Sequence, residues 1–253
     1  MRSKNFAGRN VKEVLRDPLS YIFCLGFPII MLIIMTFVNS SIPKEANMKI
    51  FNIEYLAPGI VIFGLTFIML FTCLQVSKDR ASAFLIRLYT SPMKSGDFIA
   101  GYVLPFFIIA IVQSIITFGV AVIIGYFVGY TFNIFNVLVS IITLIPSVIL
   151  FIGFGMLFGT LFGEKSAPPL TSIIITVSAI LGGIWMDVDS LNSIMKNICS
   201  IFPFYHGVQV ARMAVVGKFD NIITPLIVVS IYAIVIYIIS VFVFKMKMKS
   251  DMN

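Results

Sequence analysis

Six stretches of the chain carry no Asp, Glu, Lys or Arg: 19–38, 58–76, 98–124, 135–162, 169–185 and 222–244. About 20 consecutive apolar residues in a helix cross a hydrocarbon core of roughly 30 Å. Lipid offers no partner to an open backbone N–H, so each stretch is expected to satisfy its own backbone as a helix. The fifth is short, and the third and fourth are long. A β-barrel would need strands of alternating apolar and polar residues. The run 227–243 has no such alternation. The pattern therefore predicts an all-α integral membrane protein with about six transmembrane helices, in one domain over 1–253.

The segments between the spans differ in kind. Residues 1–18 suit a helix lying at the interface, with Ala7, Val11, Val14 and Leu15 near one face and Arg9, Lys12, Glu13 and Arg16 elsewhere. Pro18 marks the turn into the first span, which reads as retained, not as a cleaved leader. The segment 77–97 has charges at both ends and Phe84, Leu85, Ile86 and Leu88 between them. The segment 186–221 is too apolar for a solvated loop: Leu191, Ile194, Ile198, Ile201 and Phe202 recur at helical spacing, and Pro203 and Gly207 interrupt them. It reads as two short helices lying in or dipping into the outer leaflet, sheltered by protein or a wet cavity.

Composition agrees: 59% of the 253 residues are hydrophobic and 11% are charged. Soluble domains carry roughly 25% charged residues. The net charge of +7 does not point to nucleic acid, because the basic residues flank the spans, where they set topology and meet anionic lipid head groups. With the amino terminus inside, thirteen of the eighteen Lys and Arg residues fall on the inner side. Both termini are therefore expected in the cytoplasm of a plasma-membrane protein. The three cysteines, Cys24, Cys73 and Cys199, form neither a metal-binding spacing nor a disulfide framework. They read as small packing residues.

The chain offers little chemistry of its own. Residues 159–166 read G-T-L-F-G-E-K-S, and Glu164 breaks the Gly-Lys-Ser order a phosphate-binding loop needs. The single histidine, His206, has no nucleophile motif near it and reads as an interfacial residue bonded to backbone or water. No ionisable residue sits well inside a span, as a proton or ion carrier would require; Asp97 lies only at the edge of the third. Energy for any transport is expected to come from elsewhere.

Three regions together resemble the permease subunits of the type 2 ABC exporters, which include drug, lipid and polysaccharide exporters. In 77–102, S-K-D-R-A-S-A-F-L-I-R-L-Y-T-S-P-M-K-S-G-D-F-I-A-G-Y, Asp79, Arg80, Arg87, Leu88, Ser91, Pro92 and Gly101 occupy places matching the family pattern. Residues 158–167 form a Gly-rich span end with a short charged loop. Gly182, Pro203 and Arg212 stand as in the family's outer re-entrant segment. The resemblance implies a coupling helix in 77–97, carried by Asp79, Arg80, Phe84, Arg87, Leu88, Ser91 and Pro92, with charges offered to a partner and apolar residues to the membrane base. It implies an outer re-entrant segment carried by Gly182, Ile198, Phe202, Pro203, His206 and Arg212. It also implies no catalytic residue, metal or cofactor in this chain, a separate ABC ATP-binding subunit holding ATP and Mg, and a second permease copy or paralogue. The expected function is export of a hydrophobic or amphipathic substrate, whether drug, antimicrobial peptide, lipid or glycan. The competing readings are a non-transporting membrane assembly protein and an intramembrane enzyme.

Overall fold

Backbone polar groups in an apolar sequence must bond along their own helix, and a computed structural model of the chain, describing residues 2–43, 48–82 and 95–250, contains helices and no strand among those residues. They are α1 (Arg2–Arg16), α2 (Pro18–Ser41), α3 (Ile53–Ala81), α4 (Ser95–Val128), α5 (Ile134–Leu161), α6 (Ala167–Leu181), α7 (Ser193–Ile201), α8 (Pro203–Val216) and α9 (Ile223–Ser250). Five of them (α2, α3, α4, α5 and α9) are long and apolar enough to cross a membrane.

The helix ends follow local chemistry. Asp17 caps α2 by accepting from Leu19 N–H, with Pro18 in the first turn. A π turn over Ile22–Gly26 interrupts that helix near its start. Pro146 has no N–H to donate, and α5 breaks at Leu144, between its pieces Ile134–Thr143 and Ile145–Leu161. The sixth apolar stretch is shorter as a helix than its hydropathy suggests. Gly183 takes a left-handed φ of 68°, and Ile184 N–H bonds back to Ala179 C=O at 3.2 Å. The chain thus reverses after Leu181, and Trp185 lies outside the helix. Fifteen residues rise about 22 Å, less than a hydrocarbon core.

α3 is the centre of the bundle, with 83% of its apolar window buried, against 17% for α2 and for α9. Its closest neighbour is α5, which presents Gly155 and Gly159 one turn apart. A Cβ on Gly155 would stand 2.5 Å from Met69 C=O, and one on Gly159 would stand 2.6 Å from Cys73 C=O. Helices in lipid gain contact by such small-residue approaches, since lipid tails are as apolar as leucine. Phe23 and Phe27 of α2 pack on Phe63 and Phe67 of α3 at ring distances of 5.1 to 6.0 Å, and Trp185 meets Phe63 at 5.4 Å.

Two polar ends result. The amino-terminal end gathers α1, the last turn of α3, the first turns of α4 and the end of α5. The opposite end gathers the 3₁₀ turn Lys49–Phe51, the start of α3, and the segment after α6 that contains the 3₁₀ turn Val188–Ser190, α7 and α8.

Candidate functional site

α1 is amphipathic, and its apolar side, with Phe6, Ala7 and Val14, is buried against the bundle. That docking brings Arg9 to Asp79, seventy residues away. The guanidinium donates from Nη1 to Oδ2 at 3.1 Å and from Nη2 to Oδ1 at 3.0 Å. Such two-pronged pairs are the strongest and most directional charge-assisted bonds. Tyr102 of α4 donates its hydroxyl to the same Oδ2 at 2.8 Å, and Gln75 Nε2 reaches it at 3.5 Å. Asp79 is 2% exposed and Tyr102 is fully buried. Arg9 also pairs with Glu13 at 2.8 Å, and Glu13 pairs with Lys78 at 3.4 Å. Burial opposes the charge on Arg9, but the bond to Asp79 and the two nearby carboxylates more than offset it, so its pKa is raised.

The same contact is locked a second way. Asn10, fully buried, donates Nδ2–H to Gly101 C=O at 2.9 Å. Phe6 sets its ring edge-on to Phe98 and Tyr102. A Cβ on Gly101 would lie 2.0 Å from the Phe6 ring, so glycine at this place is what lets α1 lie down on α4. One residue beyond Asp79, Arg80 Nη1 donates to the carbonyls of Thr160 and Gly159 at the end of α5. The last turn of α3 is therefore fastened to α1, α4 and α5.

The segment 77–97, read from sequence as a cytoplasmic loop carrying a coupling helix, has its first five residues in α3 and its last three in α4. The apolar run ends at Val76, but the helix continues to Ala81, because α1, Tyr102 and the α5 carbonyls supply polar partners for the added turn. Asp79 and Arg80 both have partners inside the chain. Phe84, Arg87, Leu88, Ser91 and Pro92 fall in 83–94, outside the described residues. Arg9, Asn10 and Tyr102 were not singled out from sequence. The available signal was Gln75 and Asp79 four residues apart on a helix whose other faces are apolar.

At the opposite end the segment 186–221 contains two short helices, α7 and α8. Pro203 opens α8 and is buried. Gly182 caps α6, its N–H bonding Ser178 C=O at 2.9 Å. Arg212, 8% exposed, donates Nε–H to Tyr55 C=O at 3.1 Å and Nη2–H to Gly183 C=O at 2.9 Å. It pins α8 to the start of α3 and to the reversal after α6. His206 Nε2 donates to Ser200 C=O at 2.7 Å, the backbone bond expected of an interfacial histidine. Ile194, Ile198 and Ile201 form an exposed apolar face on α7, while Phe202 stacks on Phe204 with centroids 6.4 Å apart.

Asp189 organises this segment. It pairs with Lys196 at 2.7 Å and accepts from Tyr205 Oη–H and Gln209 Nε2–H, each at 3.4 Å. Burial acts to raise the Asp189 carboxyl, but the Lys196 ammonium, with help from Gln209 and Tyr205, holds it below the usual carboxylate range. The Asp189 partnership in turn raises Lys196. A cavity of about 340 Å³ beside this pair is walled by Lys49, Tyr55, Asp187, Asp189, Gln209 and Arg212, among others. Among the described residues, no cluster of His, Cys, Asp and Glu could hold a metal ion.

One polar end is thus fastened through Asp79 and Arg80, the other through Arg212, and the buried helix α3 runs between them. Comparison with the curated proteins finds no match. A family model described as ABC-2 type transporter matches residues 4–216. That match runs from α1 through the central helix to the end of α8, and the chain belongs to the ABC-2 type transporter family as a multi-pass membrane permease.

Proposed function

We propose that the chain is the membrane half of an ATP-driven exporter, working with a separate ABC ATP-binding subunit that holds ATP and Mg, and with a second permease copy or paralogue. The observation that carries this reading is the fastening of the last turn of α3. Asp79 and Arg80 tie it to α1, α4 and α5, and it leads directly into the charged and apolar stretch 83–94. A partner pressing on that stretch acts on the most buried helix of the bundle. In this reading the amino-terminal end faces the cytoplasm of a plasma-membrane protein, as the distribution of Lys and Arg favours. In this reading the substrate is hydrophobic or amphipathic, as the resemblance to drug and lipid exporters implies.

Two measurements test it. Single cysteines at Ser41 and Asn192 should react with an impermeant reagent in intact cells, while those at Ser82 and Ser250 should not. The purified chain should bring down an ABC ATPase whose hydrolysis rises with substrate. If no ATPase ever accompanies it, a non-transporting membrane assembly protein is the better account. Labelling of Ser82 from outside would reverse the orientation.

A further inference from the structure

Beside the Arg9–Asp79 clasp lies an open cavity of about 950 Å³, between α1 and the last turn of α3. Four cations line it (Arg9, Lys12, Arg16 and Lys78), against two carboxylates, Glu13 and Asp17. Both carboxylates are already engaged. Glu13 takes Arg9 and Lys78, and Asp17 takes Leu19 N–H and the Ser20 hydroxyl. Lys12 and Arg16 are exposed, and among the described residues neither makes an ion pair. The cavity thus keeps an unspent positive charge.

A second cavity of about 250 Å³ adjoins it, sharing Glu13, Asp17 and Lys78 in its wall. Its other walls are apolar at Val14, Phe71, Leu74 and Phe106 and polar at Ser20, Gln75 and Glu164. The exposed surface turns apolar at the same level: Leu19 and Ile22, just past Pro18, are more than half exposed. A basic chamber beside a cleft with one apolar side, next to exposed Leu19 and Ile22, matches an amphiphile with an anionic head and a hydrocarbon tail.

We propose that this pair of cavities is a binding site for an anionic phospholipid of the leaflet on which α1 lies, its phosphate held by Lys12 and Arg16 and one acyl chain seated against Phe71, Leu74 and Phe106. The site is separate from the Arg9–Asp79 bonds but touches the same helix ends. An occupied site therefore holds α1 down on α3 and α4, whether or not the chain exports anything.

The test uses the full-length chain in nanodiscs of phosphatidylglycerol or phosphatidylcholine, with retained lipid counted by native mass spectrometry after mild detergent extraction. The wild type should retain phosphatidylglycerol and release phosphatidylcholine. Lys12→Gln with Arg16→Gln should weaken that retention on the order of tenfold to thirtyfold, about one surface cation's worth of lipid attraction at each position. Leu74→Trp fills the cleft without altering charge and should also cut retention, which separates a lipid from a free anion. Equal retention of the two lipids by the wild type would overturn the proposal, as would full retention by the doubly neutralised variant. Displacement of the bound lipid by millimolar inorganic phosphate, with Leu74→Trp having no effect, would reassign the site to a simple phosphate and overturn the lipid.

Discussion

Asp79 stands at the edge of the apolar core with 2% of its surface exposed, and its charge is tolerable there only because three groups donate to it. Removing Arg9 leaves that carboxylate short of its main partner. Arg9→Ala is expected to cost on the order of 2 kcal/mol, the scale of a lost bond to a partly buried charge. The exchange Arg9→Asp with Asp79→Arg should recover part of the loss. Thermal unfolding of the purified variants measures both; equal melting of wild type and Arg9→Ala would mean that the clasp contributes nothing. Asp189 gives the second residue-scale expectation, in pH. Its carboxyl is held low, so its contribution is present above the unfolded carboxylate value near 3.9 and is lost as pH falls through the lower folded value. Lys196 is raised, so its share is present below about 10.4 and is lost as pH rises through the folded value. The difference in amide exchange over 187–209 between wild type and Asp189→Asn should stay level from pH 5 to 9 and shrink below about 4. Both groups are well exposed, so high salt should shrink it as well. A difference that grows with acid would show the pairing to be wrong.

At the scale of the element, the α3–α5 contact depends on the absence of side chains. Gly155→Leu would place its first carbon 2.5 Å from the Met69 carbonyl, and backbone cannot yield as a flexible side chain can. Gly163→Leu meets nothing within 4 Å and serves as the control. The first should lower the yield of monodisperse protein in detergent severalfold while the second leaves it unchanged; similar behaviour of the two would remove the close packing. Apolar runs made the positions of the helices legible in the sequence, since lipid dictates both their length and their self-bonding. Their ends were less legible, for a physical reason. Hydropathy stops at the first charge, but a helix stops where its backbone bonds stop. α3 runs five residues past Val76 because its polar last turn finds partners on other helices. α6 ends before Trp185 because Gly182 and Gly183 reverse the chain. The two short helices of 186–221 were legible from Pro203 and the isoleucine spacing. The Arg9–Asp79–Tyr102 clasp was not, because nothing local marks a partnership between residues this far apart in sequence.

Across the whole molecule, the internal use of Asp79 and Arg80 changes which residues can answer to a partner. Reversing Asp79 would damage the bundle itself, so loss of transport in that variant would say nothing about coupling. Arg87 and Leu88 lie beyond Asp79 in sequence, in the stretch 83–94 that joins α3 to α4. In the proposed coupling, an ATP-binding partner grips this stretch, with Arg87 giving a charge-assisted bond and Leu88 an apolar anchor. On that coupling, Arg87→Glu combined with Leu88→Ala should reduce recovery of the ATP-binding subunit in pull-down by roughly tenfold and abolish substrate-stimulated ATP hydrolysis in nanodiscs, with the melting temperature measured as the folding control. Arg9→Gln is the complementary variant. It loosens the fastening of α3 but leaves the gripping surface intact, so it should retain the ATP-binding subunit while uncoupling hydrolysis from substrate. The two variants separate contact from transmission. If the double variant at 87 and 88 binds and hydrolyses as the wild type does, the partner grips elsewhere. If Arg9→Gln remains fully coupled, force does not travel through the clasp, and the last turn of α3 is a structural bolt alone.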